Sequence, residues 1–320
     1  MSAERPRAPV VVTGGAGAIG AVLVDALAQD GTPVRVIDNL SSGRKEAIAR
    51  AMGHGSVTLT VADLRSTGAY AAEFRGASSA WHLAANPDIR RGTVDPSLDF
   101  EHGTLSAFHF LEAARKADVP AVFFSSSSVV YGFPRTFPTP EEYGPLMPES
   151  LYGASKLASE AMFSAYAHSY GLRSYIFRFA NIIGPGMTHG VIFDFFEKLR
   201  RDPARLEVLG DGRQSKSYLR TEDCVAAMRF VGEHAHERVN IFNLGTHDRI
   251  PVREIAELVV QACGGKARIE FTGGERGWTG DIPQQLLSVE RLGHLGWAPR
   301  RSSREAVEQT VREMAGGRGY

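Results

Sequence analysis

Tyr152 and Lys156 stand four positions apart in a stretch with helical spacing, Leu151 to Tyr170, so both side chains leave one face of a helix. A free phenol ionises at about pH 10 and is a poor base at neutral pH. A neighbouring ammonium, joined by a positively charged ring on a bound cofactor, favours the phenolate and lowers that pKa. Tyr152 could then take the proton of a hydroxyl as hydride leaves the same carbon. This spacing is common on ordinary helix surfaces, and the pair gains meaning from its place in the chain. Four serines, Ser125 to Ser128, precede it and close the apolar run Ala121 to Phe124. A serine at the carboxyl edge of a parallel sheet can hydrogen-bond a reacting oxygen.

A second chemical signal lies near the N-terminus. Thr13-Gly14-Gly15-Ala16-Gly17-Ala18-Ile19-Gly20 follows the apolar run Val10 to Val12 and opens a helical pattern. Gly14, Gly17 and Gly20 have the spacing that a dinucleotide pyrophosphate needs: a tight turn, a close backbone approach, and close helix–strand packing. The first N–H groups of the helix then face the phosphates. Asp38 ends the next strand, where a carboxylate can accept both adenosine ribose hydroxyls and repel a 2′-phosphate, so NAD is favoured over NADP. Asp63, at the end of a third strand, could receive the adenine amino group.

These residues need a scaffold, and the order of patterns supplies one. Strand-like runs at Val10 to Val12, Pro33 to Asp38, Val57 to Val61, Ala80 to Ala84, Ala121 to Phe124 and Ser174 to Phe179 alternate with helical spacing at Ala18 to Gln29, Ser97 to Lys116 and Leu151 to Tyr170. The first long helix shows Leu98, Leu105, Phe108 and Leu111 as its apolar face. Alternation of this kind predicts an α/β fold, a Rossmann-type doubly wound parallel sheet covered by helices. The regularity changes after Asn181, and a smaller C-terminal α/β domain is expected. The division is 1–181 with 217–264 returning to it, against 182–216 and 265–320. Gly316 to Tyr320 reads as a frayed tail.

The 320 residues are 43% hydrophobic and carry zero formal net charge. That is enough chain for a sizeable core, and the balance lacks the basic surplus of nucleic-acid binders. Cys224 and Cys263 are too few and too separated for a disulfide framework or a zinc site, so no metal is expected. Met1 to Pro9 is polar with no apolar stretch behind it, and no run of about 18 apolar residues occurs. A cytoplasmic protein with no membrane partner is expected.

Further motifs stand in order with these. They are Asp38-Asn39-Leu40-Ser41-Ser42-Gly43, His82-Leu83-Ala84-Ala85, Ser127-Ser128-Val129-Val130-Tyr131-Gly132, Tyr152-Gly153-Ala154-Ser155-Lys156 and Arg178-Phe179-Ala180-Asn181. With them the chain resembles the extended short-chain dehydrogenase/reductases, and within them the NAD-dependent nucleotide-sugar epimerases and dehydratases. Asn86 to Arg90, His189 to Ile192, Leu206 to Gly212 and Gly274 to Asp281 make it most similar to the UDP-glucose (UDP-galactose) 4-epimerase group. The resemblance runs from Val10 to about Arg312.

The resemblance implies that Ser127, Tyr152 and Lys156 are the catalytic group. It implies a cofactor lining of Gly14, Gly17, Ala18, Ile19, Gly20 and Asp38, with Asn39, Ser42 and Gly43 after it. Asp63, Leu64, Leu83, Ala84, Ala85, Ser125 and Phe179 would join that lining. Nucleotide-sugar contacts fall to Pro87, Arg90, Ser127, Asn181, His189, Gly190 and Val191. Lys216 would face the diphosphate, Arg276 would bind phosphate by charge, and Asp281 would accept ribose hydroxyls. It also implies a homodimer, paired through the two long helices. Ala18 stands where phenylalanine is usual, and Gly103 where many relatives carry asparagine, so a cofactor-side contact is expected to be missing. Met187-Thr188 stands where close relatives often have a basic residue.

The reaction follows from what is present. Ser128 and Val129 succeed Ser127, where dehydratases carry an Asp-Glu pair and decarboxylases a Glu. Without that acid and base, elimination lacks its proton carriers. Oxidation at C4, rotation of the 4-keto sugar and return of the hydride need only the tyrosine, the serine and NAD, so 4-epimerisation of a UDP-hexose is predicted. The alternatives are a UDP-uronic acid 4-epimerase, with Arg90, Arg91 and Thr188 as carboxylate partners, then a dehydratase or an NAD(H)-sensing non-enzyme.

Overall fold

The structure, a computed structural model, describes residues 7–86, 89–184, 186–277 and 282–318. The chain divides into two compact units of similar length. Unit 1 comprises Met1–Ser126, Ser150–Phe177 and Gly232–Ile241; unit 2 comprises Ser127–Glu149, Arg178–Val231 and Phe242–Tyr320. Of the stretch 217–264, expected to return to the dinucleotide domain, Gly232–Ile241 lies in unit 1 and the rest in unit 2.

The frame of unit 1 is a seven-stranded sheet. Its strands are β1 (Val10–Thr13), β2 (Val34–Asp38), β3 (Val57–Val61), β4 (Ser79–His82), β5 (Ala121–Ser127), β6 (Arg173–Phe179) and β7 (Val239–Leu244), in the order β7-β6-β5-β4-β1-β2-β3. Strand β1 runs parallel to β2 and β4, β2 to β3, and β4 to β5. The fold is α/β, a Rossmann-type doubly wound sheet. The order reverses between β1 and β4, and ligands of such sheets sit outside the carboxyl ends of the strands at that point. All four residues of β1 are buried, which explains the unbroken Val-Val-Val run: a parallel sheet is covered on both faces. Helix α1 (Ala18–Gln29) returns the chain from β1 to β2 and buries Leu23, Val24, Leu27 and Ala28 at helical spacing. Val11, Ile37, Phe74, Phe110, Phe124, Phe163 and Ile176 belong to the core.

One predicted helix differs. Ser97 to Lys116 is a short helix Pro96–Asp99, a wide π turn over Phe100–Leu105, and α2 (Ser106–Lys116). The Ser106 N–H reaches back five residues to Glu101 O, and its hydroxyl reaches the same oxygen at 2.9 Å. One extra residue in the turn rotates everything after it by about 100°. The face predicted from Leu98, Leu105, Phe108 and Leu111 is therefore broken. Phe108 is 41% exposed, and Phe110 and Leu111 are buried. Helix α3 (Leu151–Tyr170) matches its predicted bounds; the Ser150 hydroxyl caps it by accepting from Gly153 N, and Gly171 ends it in the left-handed region.

Unit 2 has its own core, in which α4 (Val191–Arg201), α5 (Val252–Ala262) and α6 (Ser303–Arg318) meet the parallel strands Arg205–Val208 and Arg268–Phe271. Helix α4 buries Ile192, Phe195, Phe196 and Leu199, each contributing about 1.5–3 kcal/mol on full burial. Helix α6 reaches Arg318, so Gly316 and Gly317 continue a helix and do not begin a frayed tail. Strand Asn181–Ile183 pairs in parallel with Tyr218–Arg220. Among the described residues no helix is long and apolar enough to cross a membrane.

Candidate active site

The glycine turn closes on its neighbours in unit 1. Gly14 has φ +71°, and a Cβ there would stand 2.5 Å from the Ala84 nitrogen. The loop Leu83 to Ala85 after β4 therefore lies directly against it, and Leu83 N donates to Thr13 O at 3.0 Å. At Gly20 a Cβ would meet Gly14 O at 2.1 Å, so the third glycine lets α1 pack on the turn. Gly17 is the N-cap of α1 and offers no side-chain cap; the first N–H groups of the helix, at Ala18 to Gly20, have no intrahelical partner.

Asp38 is buried, and its carboxylate ties the turn together. One oxygen accepts from Ala16 N at 3.0 Å and the other from Leu40 N at 2.8 Å. Each oxygen keeps a further lone pair, which suits two ribose hydroxyls. Asn39 Oδ1 accepts from Ser41. A Cβ on Gly43 would stand 2.9 Å from the Ala16 carbonyl carbon, so the segment containing Ser42 and Gly43 folds back onto the glycine turn. This cradle fits a dinucleotide: it has no side chains where a pyrophosphate approaches, N–H groups at a helix start, and a carboxylate beside them.

Asp63 has a competitor for the adenine contact expected of it. Arg65 binds both its oxygens, at 3.0 and 2.9 Å, and also reaches Glu101. The Arg65 guanidinium holds the Asp63 carboxyl at about 2. Leu64 is buried and its carbonyl accepts from the Tyr70 hydroxyl.

The tyrosine–lysine pair occupies the first turns of α3. Lys156 is 3% exposed; its Nζ donates to Ser125 O at 2.6 Å and lies 4.8 Å from the Phe124 ring centre and 5.6 Å from that of Tyr152. Burial brings its pKa down to about 7, against the opposing pull of Glu160 and Asp99. Tyr152 is half-buried, and burial, with Asp99 second, holds its phenol above the ordinary value. The lowering expected from the sequence invokes the ammonium together with the positive ring of a bound cofactor; in the protein alone, burial and then Asp99 set the direction. Ser125 directs its hydroxyl to His82 O at 3.1 Å and its carbonyl to Lys156, so it holds the lysine. Under it, His82 stacks on Phe110 and meets Thr13 Oγ1 at 2.8 Å; burial, then Lys156, bring its pKa down to about 3. It stays neutral.

In unit 2, Ser127 ends β5, and its hydroxyl lies 3.4 Å from Val129 N. Phe179 is buried at the end of β6. Asn181 donates to Ser217 O at 3.0 Å and to Gln285 Oε1 at 3.2 Å, and Gln285 donates to the Ser128 hydroxyl. Lys216, beside Ser217, is in register with Gln285, so Asn181 and Lys216 come together. His189 is exposed and Gly190, with φ +97°, is the N-cap that precedes Val191 at the start of α4. Arg276 is exposed and stacks over the Phe133 ring at 4.7 Å. Pro87, Asp281 and the side chain of Arg90 lie outside the described residues.

Sequence reasoning assigned no role to four residues: Asp99, Glu160, Arg178, which it named only within a motif, and Gln285. Arg178 is buried and donates to the Tyr131 hydroxyl and Glu141 O, both at 2.9 Å. Glu160 lies one turn after Lys156 and accepts from the Ser126 hydroxyl at 2.5 Å. The signal available for Glu160 was its four-residue spacing from Lys156; Asp99 and Gln285 had none.

The model of the NAD dependent epimerase/dehydratase family matches residues 10–245. The UDP-glucose 4-epimerase of Mycolicibacterium smegmatis is 33% identical over 94% of this chain and 96% of its own. A crystal structure of a UDP-galactose 4-epimerase is 39% identical with a TM-score of 0.87, covering 97% of this chain and 99% of that one. The Thermus thermophilus UDP-glucose 4-epimerase in complex with NAD is 29% identical with a TM-score of 0.85, over 97% and 99%.

Proposed function

The chain belongs to the NAD-dependent epimerase/dehydratase family, and from that membership we propose that it interconverts the 4-epimers of a UDP-hexose of the UDP-glucose/UDP-galactose type. The observation that carries this is the buried Lys156, held at Ser125 O below Tyr152, with Ser128 and Val129 and no carboxylate after Ser127. That set moves one proton at one hydroxyl and has no second acid for water loss. The relatives' activities, UDP-glucose and UDP-galactose 4-epimerisation, support the same reading.

The glycine turn and Asp38 of unit 1 would hold NAD, which when bound would supply the acceptor and donor for the C4 hydride. Tyr152 takes the proton of the 4-hydroxyl and returns it to the C4 oxygen once the ketone has turned its other face to the hydride donor. Lys156 stabilises the phenolate by charge, and Ser127 hydrogen-bonds the C4 oxygen. Lys216 and Arg276 hold the diphosphate by charge-assisted bonds, and Asn181 and the segment His189 to Val191 hold the rest of the nucleotide-sugar. The 4-keto sugar turns about that anchor. Free thiols at Cys224 and Cys263 suit a reducing cytoplasmic setting. Exposed Phe108 on α2 and exposed Leu151 and Tyr170 at the ends of α3 support a homodimer paired through those helices.

The test is incubation of purified protein with UDP-glucose, UDP-galactose, UDP-N-acetylglucosamine and UDP-glucuronate separately, followed by chromatography. Interconversion of UDP-glucose and UDP-galactose is expected, and Tyr152→Phe should lower kcat by about 10²–10⁴ while still binding NAD. A product of changed mass, or full turnover by Tyr152→Phe, would overturn the reading.

A further inference from the structure

Asp99 is a carboxyl group in a place where a carboxyl is expensive. It sits in the short helix before the π turn and is 1% exposed. One oxygen accepts from Asn86 Nδ2 at 3.0 Å. The other, Oδ2, has no hydrogen-bond partner among the described residues. It lies over Gly92, where a Cβ would come within 1.9 Å of it, so the glycine is what gives the carboxyl its room. The helix that carries Asp99 packs against α3, as do the π turn and the helix Ile89–Val94. A buried carboxyl with an unsatisfied oxygen costs about 1–3 kcal/mol or more, and such groups persist where they act on a neighbour.

The neighbours are on α3. Asp99 acts electrostatically on Tyr152, opposing loss of its proton, and on Lys156, favouring retention of its own. Among the described residues, four further ionisable groups lie around this cluster. Glu160, on α3, pulls on Lys156 in the same sense as Asp99 and is bonded to Ser126. His82, on β4, is neutral. Burial pushes the Asp99 carboxyl above its ordinary value, and the Asn86 hydrogen bond, Lys156 and His102 in the π turn oppose that rise and favour its charged form. Arg91, on the helix Ile89–Val94, is exposed.

We propose that Asp99 is a positioning residue for the Tyr152–Lys156 pair, a fixed counter-charge that keeps the ammonium on Lys156 and the proton on Tyr152 until the positive ring of oxidised cofactor is beside them. The inference rests on the reading of Tyr152 as the base. Its consequence is a base armed by the cofactor's oxidation state: with oxidised cofactor the positive ring offsets the Asp99 charge and Tyr152 ionises, and with reduced cofactor the charge acts unopposed and returns the proton to Tyr152. That alternation is what an epimerase needs at its two half-reactions.

The experiment compares unaltered NAD-loaded protein with Asp99→Asn, which keeps the acceptor facing Asn86 and removes the charge. Ionisation of Tyr152 is read as tyrosinate absorbance against pH, with Tyr152→Phe in the same background as the blank. The state of Lys156 is read by NMR of protein with isotope-labelled lysine, which is tractable because the chain has only six lysines. In Asp99→Asn both groups should lose their protons at lower pH by about one unit, Tyr152 because a like charge is removed from its phenolate and Lys156 because an opposite charge is removed from its ammonium. The acidic limb of the kcat profile should move with Tyr152. A purely structural Asp99 would lower kcat at every pH and leave both titrations in place, and that result overturns the inference. Asp99→Ser, smaller and uncharged, carries the same expectation if Asp99→Asn does not fold. The two readings fail separately: full turnover by Tyr152→Phe defeats the proposed function, whereas an inactive Tyr152→Phe with unmoved titrations in Asp99→Asn defeats only the counter-charge.

Discussion

Lys156 sets the strictest terms at the scale of single residues. Unfolded, it titrates near 10.5; folded and without cofactor, burial takes it to about 7. Between those two values the unfolded chain binds the extra proton, so stability rises with pH across that window. Below about pH 7 both forms are protonated and the whole burial penalty stands. Lys156→Met should therefore be more stable than the unaltered, cofactor-free protein at pH 6–7, by about 3–5 kcal/mol. The gain should shrink toward zero near pH 10. Urea midpoints of both proteins at a series of pH values check this, and a gain independent of pH would refute it. Tyr152, Lys156 and the glycine turn were legible because each is a local pattern with a chemical reason. Asp99 and Gln285 were not: Asp99 gains meaning only beside residues more than fifty positions later, and Gln285 only through Ser128 and Asn181, each more than a hundred positions earlier. The burial that raises the Tyr152 phenol in the protein alone was not legible, because a sequence shows a neighbouring charge and hides the desolvation around it.

Among the elements, the π turn is the departure that matters most. Apolar residues keep helical spacing straight through Phe100–Leu105, so no periodicity marks the extra residue. The composition offers a reason in retrospect. Gly103, read from the sequence as the loss of an asparagine contact, is where the turn meets α3: a Cβ there would stand 2.6 Å from the Ser155 hydroxyl and 3.0 Å from its Cβ. That hydroxyl donates to Tyr152 O at 2.9 Å. Gly103→Ala should thus cost about 1–3 kcal/mol by overpacking, measured by urea unfolding, and should lower kcat more than it raises KM, because it presses on the turn that bears the base. Adding Ser155→Ala should recover part of the loss; strictly additive effects would mean that the two residues do not press on each other. The main strands were legible to within a few residues, since fully buried parallel strands are short apolar runs bounded by turns.

For the whole molecule, the exposed Phe108 is informative because the π turn, and not chance, put it on the surface. A large apolar side chain on the outer face of a long helix calls for a cover, and an isologous pair of identical faces is the commonest one. On the proposed pairing, the unaltered protein should sediment as a dimer and Phe108→Glu as a monomer at the same concentration, with NAD binding kept. Equal sedimentation of the two would place any pairing elsewhere. The fold class was legible from the strand–helix alternation. The division into units was not, because apportioning 217–264 depends on which core each helix packs into.

The chain passes from one unit to the other five times, and the sheet takes its last strand from Val239–Leu244. During synthesis the cofactor cradle leaves the ribosome first and the strand that completes its sheet leaves when three-quarters of the chain has been made. At about 5–20 residues per second the early strands wait roughly 10–40 s for it. Strand β6 emerges late in that interval, and its edge then stays unpaired for roughly 3–13 s, where a nascent-chain chaperone would find it.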